Sequence, residues 1–205
     1  MSGQTMVKIC GLTSVRDAEY ASKGGADLVG MVVFFPKSKR NISLEQAEEI
    51  ISSLPESIKK CAVTVSPDAK QIAVLNDSGF DYIQIHGALT DEVYEAAKLP
   101  MIKAFNVDDL DDFARYSKLE KIIGYVFDAA AYGSGKTFDW KLLEKIPRDD
   151  KLFILAGGLT PENVSQAVSQ VRPDCVDVSS GVENDSGIGK DELKICSFVK
   201  NARSV

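Results

Sequence analysis

The stretch "KLFILAGGLTPENVSQAVSQVRPDCVDVSSGVEN", residues 151–184, holds two short apolar runs with one amphipathic segment between them. LFILAG and CVDVSS are strand-length runs bounded by turn residues. PENVSQAVSQV repeats its apolar residues at helical spacing, behind Thr160-Pro161-Glu162, which puts proline at the first helical position. Two strands joined through a helix read as a parallel βαβ unit with a right-handed crossover. Strands this continuously apolar are covered on both faces.

The same rhythm extends towards the N-terminus. MVKIC, DLVGMVVF, KKCAVTVS, YIQIH, PMIKAFNV and KIIGYVFD are further β-rich runs. SVRDAEYASKG, SLEQAEEIISSL, DAKQIAVLNDSG, TDEVYEAAKL, VDDLDDFARYSKL, FDWKLLEKI and KDELKICSFVKNA carry helical spacing. Ser43 with Gln46, and Thr90 with Val93, mark helix starts, while Gly24, Gly79 and Asn76-Asp77 mark stops. No linker or low-complexity segment divides the chain. Eight strands alternating with eight helices predict an α/β fold, a single (βα)8 TIM barrel over residues 1–205 with an eight-stranded parallel sheet. An open doubly wound sheet is the alternative.

Composition narrows the function classes. The 44% hydrophobic and 26% charged fractions are those of an ordinary globular protein. No apolar run approaches the roughly 20 residues of a membrane span, and MSGQTMVK lacks the marks of a secretion signal, so a cytoplasmic location is expected. Cys10, Cys61, Cys175 and Cys196 are scattered without a CxxC pair, as in a reducing compartment. With His86 the single histidine, no site of several imidazoles exists, and no metal is expected. A net charge of −6 argues against nucleic acid as a partner. An anionic substrate would need local cations or backbone N–H groups.

In a barrel of this kind the chemistry sits at the C-terminal ends of the strands. There the chain places Cys10, then Gln84 and His86, Asp128, the pair Gly157-Gly158, and finally Asp177, Ser179, Ser180 and Gly181. In MVKICGLT, residues 6–13, Val7 and Ile9 point one way and Lys8 and Cys10 the other, before Gly11 turns the chain. A cysteine is usually a small buried hydrophobe, and Cys61, Cys175 and Cys196 are assigned to the core on that ground. Glycines after strands seven and eight let a phosphate approach backbone N–H groups. AAAYGSGKT, residues 129–137, is a competing nucleotide-loop signal, but Ala130 stands where the first glycine of that motif belongs.

Together KICGLT, DLVGMVVFFPKSKRNIS, IQIHG, FDAAAYGSGKTFDW, LAGGLTPENV and VDVSSGVE make the chain, from about Val7 to its last helix, resemble the phosphoribosylanthranilate isomerases of tryptophan biosynthesis. One departure is Tyr132, where family members commonly carry glycine. The resemblance implies an Amadori rearrangement of N-(5′-phosphoribosyl)anthranilate to 1-(2-carboxyphenylamino)-1-deoxyribulose 5′-phosphate, with no cofactor. It implies Cys10 as general base, Asp128 as general acid, and Arg40 on the anthranilate carboxylate. The backbones of Gly157, Gly158, Ser180 and Gly181 fall where the family holds phosphate. The partner is thus a small phosphosugar-anthranilate substrate, with a monomer expected and a homodimer the alternative.

The rearrangement needs an acid to open the furanose and a base to take the C2′ proton. Asp128, from a reference pKa of ~3.9, must be raised for its task; Cys10, from ~8.5, must be lowered unless the substrate is acidic enough. Lys8 on the same strand face is the candidate cation for that lowering. Competing readings stand beside each role. Asp128 suits a helix cap or turn, and Arg40 in KSKR suits a solvated surface run. His86 suits either a place beside the substrate or a structural hydrogen bond. Asp177 suits positioning of substrate or loops. Another phosphosugar barrel enzyme and a nucleotide module are the alternative functions.

Overall fold

A computed structural model describes residues 4–106, 110, 113–128 and 139–205, and every structural statement concerns these. Eight parallel strands form a closed ring in chain order. They are β1 (Met6–Cys10), β2 (Leu28–Val32), β3 (Lys59–Val65), β4 (Tyr82–His86), β5 (Met101–Asn106), β6 (Ile122–Asp128), β7 (Leu152–Leu155) and β8 (Cys175–Val178). Pairing of β8 with β1, Lys8 opposite Asp177, closes the ring and excludes the open sheet.

Side-chain alternation sorts each strand into two layers. Val7 and Ile9 join the fully buried layer between barrel and helices, whereas Lys8 and Cys10 belong to the interior. The interior apolar set includes Leu28, Cys61, Val63, Ile102, Val126 and Ile154. On β2, a Cβ at Gly30 would meet Cys10 Sγ at 2.8 Å and Lys8 Cε at 3.3 Å. Glycine there makes room for the two polar groups of β1.

The helical layer is α1 (Val15–Gly24), α2 (Leu44–Ser53), α3 (Ala69–Leu75), α4 (Asp91–Ala96), α5 (Phe113–Tyr116), α6 (Val164–Val171) and α7 (Glu192–Ala202). Ser43 and Gln46 form a reciprocal capping box, and Thr90 Oγ1 accepts from Val93 N–H, as their spacing predicts. Gly79 stands at φ 76° in the turn beyond α3, while Gly25 (φ 83°) rather than Gly24 caps α1 in the left-handed region.

Four expectations are corrected. FDWKLLEKI forms a 3₁₀ helix, Trp140–Lys145, because only a few residues separate the Asp139 cap from Pro147 and an α-helical nucleus costs several fixed residues. VDDLDDFARYSKL is helical at Phe113–Tyr116 and turns at Ser117-Lys118, short of the expected end, while its residues 107–109 and 111–112 lie outside the described residues. Pro161 sits in a turn ahead of α6, whose N-cap is Asn163. Cys196 is exposed, on the outer face of α7, while Cys61 and Cys175 are buried as expected. Tyr132 and the GKT signal ending at Thr137 lie outside the described residues.

Candidate active site

A cavity of about 710 Å³ opens at the C-terminal ends of the strands. Cys10, Arg40, His86 and Asp128 line it, as do Gly157, Gly158, Asp177 and Ser180. Its walls include Phe35, Val65, Val126 and Leu159. Eight of the nine residues named from the sequence thus share one chamber. The ninth, Gly181, is not among the residues that line it. A Cβ on Gly181 would stand 2.0 Å from the Leu159 carbonyl oxygen, so the loops after β7 and β8 pack backbone against backbone. A second cavity of about 660 Å³, lined by Lys103, Phe105, Asn106 and Arg115, contains none of the nine.

Beneath the chamber a buried polar chain crosses the barrel. Lys8 Nζ donates to Asp177 Oδ2 at 2.7 Å and to Gln84 Oε1 at 2.6 Å. An ammonium only donates, so the Gln84 oxygen must face Lys8 and its amide NH₂ must face His86, 2.7 Å away at Nε2. His86 Nε2 is therefore an acceptor, and the imidazole is neutral with its proton on Nδ1. Burial first, then the charges of Lys8 and Lys103, push the His86 pKa down to about 3, in agreement with that geometry. Burial alone would lower Lys8 too, but Asp177 overrides it and keeps the ammonium charged. The other Asp177 oxygen, Oδ1, is buried with no hydrogen-bond partner among the described residues.

Cys10 departs from expectation. Burial pushes its thiol up, not down; Lys8, Lys190 and Arg40 pull against burial and Asp177 adds to it. Lys8 is the cation the strand alternation suggests, and its pull on the thiol is the strongest of the three, but burial outweighs it.

Three loops are stitched together around Cys10. Asp17, buried, accepts from Thr13 N–H and from Lys190 N–H, joining the loop after β1 to that after β8. Glu183 accepts from Arg40 Nε at 2.5 Å and Lys39 Nζ at 2.8 Å, joining the loops after β2 and β8. Arg40 is not a solvated surface residue: its stem runs 2.4 Å from where a Cβ on Gly11 would lie. Gly11 itself holds φ 75°, so both its conformation and its space call for glycine. Sequence reasoning passed over Glu183, Lys190 and Asp17. Their signal was slight: charged residues in loops where charge is ordinary. Gly157 and Gly158 adopt φ 86° and 63°, and Asn163 Nδ2 donates to the Gly158 carbonyl, anchoring the turn to the start of α6.

Residues 7–201 match the family model described as N-(5′-phosphoribosyl)anthranilate (PRA) isomerase. The chain belongs to that family. Within it, the protein of Aquifex aeolicus is 41% identical across 97% of this chain and 98% of its own length. That of Stutzerimonas stutzeri is 40% identical across 97% of each. The phosphoribosyl anthranilate isomerase of Thermotoga maritima superposes with a TM-score of 0.86 at 38% identity, covering 98% of this chain and all of that one. A family member solved with reduced 1-(o-carboxyphenylamino)-1-deoxyribulose 5-phosphate superposes at 0.83 with 36% identity, over 98% of this chain and all of its own. The 3-hexulose-6-phosphate synthase of Salmonella typhimurium, at 16% identity and a TM-score of 0.72, shares the barrel fold alone.

Proposed function

We propose that this chain isomerises N-(5′-phosphoribosyl)anthranilate to 1-(2-carboxyphenylamino)-1-deoxyribulose 5′-phosphate in tryptophan biosynthesis, as one catalytic domain in the cytoplasm. One observation carries the reading: Cys10 on β1 and Asp128 on β6 line the same cavity of a family barrel. Asp128 gives a proton to the furanose oxygen, and the ring opens to an iminium conjugated with the anthranilate nitrogen. That cation acidifies the C2′ proton, which Cys10 sulfur removes as thiolate. The resulting enolamine tautomerises to the ketone, so no atom is gained or lost. The raised thiol is tolerable because the iminium, formed first, makes the C2′ proton far more acidic than in the parent sugar.

Arg40 binds the anthranilate carboxylate, supported by its place at the cavity wall with its Nε already held by Glu183. The turn at Gly157-Gly158 and the chain at Ser180-Gly181 take the phosphate through backbone N–H groups, supported by the positive φ of both glycines after β7 and by the close backbone packing at Gly181. His86 and Asp177 face the ribose, with Asp177 Oδ1 the acceptor for a substrate donor.

Loss of anthranilate fluorescence on incubation with N-(5′-phosphoribosyl)anthranilate tests the activity. Cys10→Ser and Asp128→Asn should each lower kcat by about 10²–10⁴-fold while still binding the reduced product analogue. Turnover near that of the wild type in either variant removes its assignment.

A further inference from the structure

Glu183 is a buried carboxylate, 8% exposed, at the end of the short 3₁₀ turn Ser180–Val182. Three cations converge on it: Arg40 Nε at 2.5 Å, Lys39 Nζ at 2.8 Å and Lys190 Nζ at 3.9 Å. Burial alone would raise its pKa, but Arg40 and Lys39 outweigh it and the group stays ionised. Its backbone is held as well. Lys194 Nζ donates to the Glu183 carbonyl at 3.0 Å, and a bridge pairs Glu183 with Lys190.

Glu183 engages only the Nε N–H of Arg40. The terminal guanidinium nitrogens make no hydrogen bond among the described residues, and Arg40 lines the cavity. A guanidinium fixed at Nε keeps its terminal N–H fork for a planar carboxylate. The stem is fixed too, against Gly11. From this geometry we infer that Glu183 is the positioning residue for substrate recognition: it holds the Arg40 guanidinium rigid through Nε, so that the loop after β8 sets the affinity for the carboxylate of the aromatic ring. Glu183 touches no substrate itself. The inference rests on the isomerase reading and on the Arg40 role within it.

The test uses KM and kcat for two substrates, N-(5′-phosphoribosyl)anthranilate and the corresponding aniline compound without the carboxylate. Glu183→Gln keeps the shape but loses the charge-assisted bond, and should raise KM for the first substrate by about tenfold or more, with kcat changed less than about threefold. KM for the carboxylate-free compound should not move. In an Arg40→Ala background the same substitution should add nothing. Glu183→Asp, which keeps the charge but withdraws it by one methylene, should show the same split and serves if the glutamine variant fails to fold. An unchanged KM, an equal rise for both substrates, or full additivity with Arg40→Ala overturns the inference while leaving the isomerase reading intact. A wild-type protein that does not convert the anthranilate substrate overturns both.

Discussion

Lys8 is a fully buried cation in the barrel interior, and it remains charged because Asp177 lies 2.7 Å away. That pair orders the interior, since it dictates the Gln84 amide orientation and through it the neutral state of His86. A pH dependence follows. The unfolded chain protonates His86 near its ordinary 6.5, whereas the folded chain withholds that proton to about pH 3. Between these values the unfolded state binds more protons, so folding stability falls as pH drops through the window, by up to about 1.4 kcal/mol per pH unit from this residue. Urea titrations at pH 7 and pH 4.5 should show a smaller loss for His86→Gln than for the wild type. Equal losses would remove His86 from the acid sensitivity. None of this was legible in YIQIH, where alternation placed Gln84 and His86 on one face but could not reveal the lysine from β1 that polarises them.

At the scale of elements, the two glycine-bearing turns behave as a unit. The loop after β8 reaches the loop after β7 at Gly181, where the Leu159 carbonyl occupies the space of a side chain. Backbone does not yield as a flexible side chain would. Gly181→Ala should therefore cost at least about 2 kcal/mol of stability and raise KM, the latter because both loops shift together. Urea unfolding with steady-state kinetics measures both effects, and a stable variant with wild-type KM would show the loops to be independent. The strand-end glycines were readable as a phosphate signal; that Gly181 also joins the two loops, backbone against backbone, was not. Similarly, KSKR reads locally as a surface run. Its Arg40 is drawn inward by a carboxylate 143 positions later, which no local pattern announces.

The whole molecule depends on closing a ring, and α1 must pack against α7 where the first and last units meet. Gly24 permits that approach. A Cβ there would meet Ile195 Cγ2 at 2.5 Å, whereas its reading as a helix stop belongs properly to Gly25. Gly24→Ala should destabilise the fold by about 1–2 kcal/mol, the overpacking cost exceeding a helix-propensity gain of at most ~1 kcal/mol. An increase in the urea midpoint would contradict that balance.

Sequence by itself determined the eightfold alternation, most helix starts, the facing of β1 side chains and the strand ends whose residues line one cavity, because periodicity and capping are short-range properties. Tertiary structure decided closure of the ring, the partner of Lys8 at a separation of 169 residues, the pairing of Glu183 with Arg40, the raised thiol of Cys10 and the exposure of Cys196. Those outcomes depend on which distant groups share a low-dielectric interior, and a linear pattern records facing without recording who is faced.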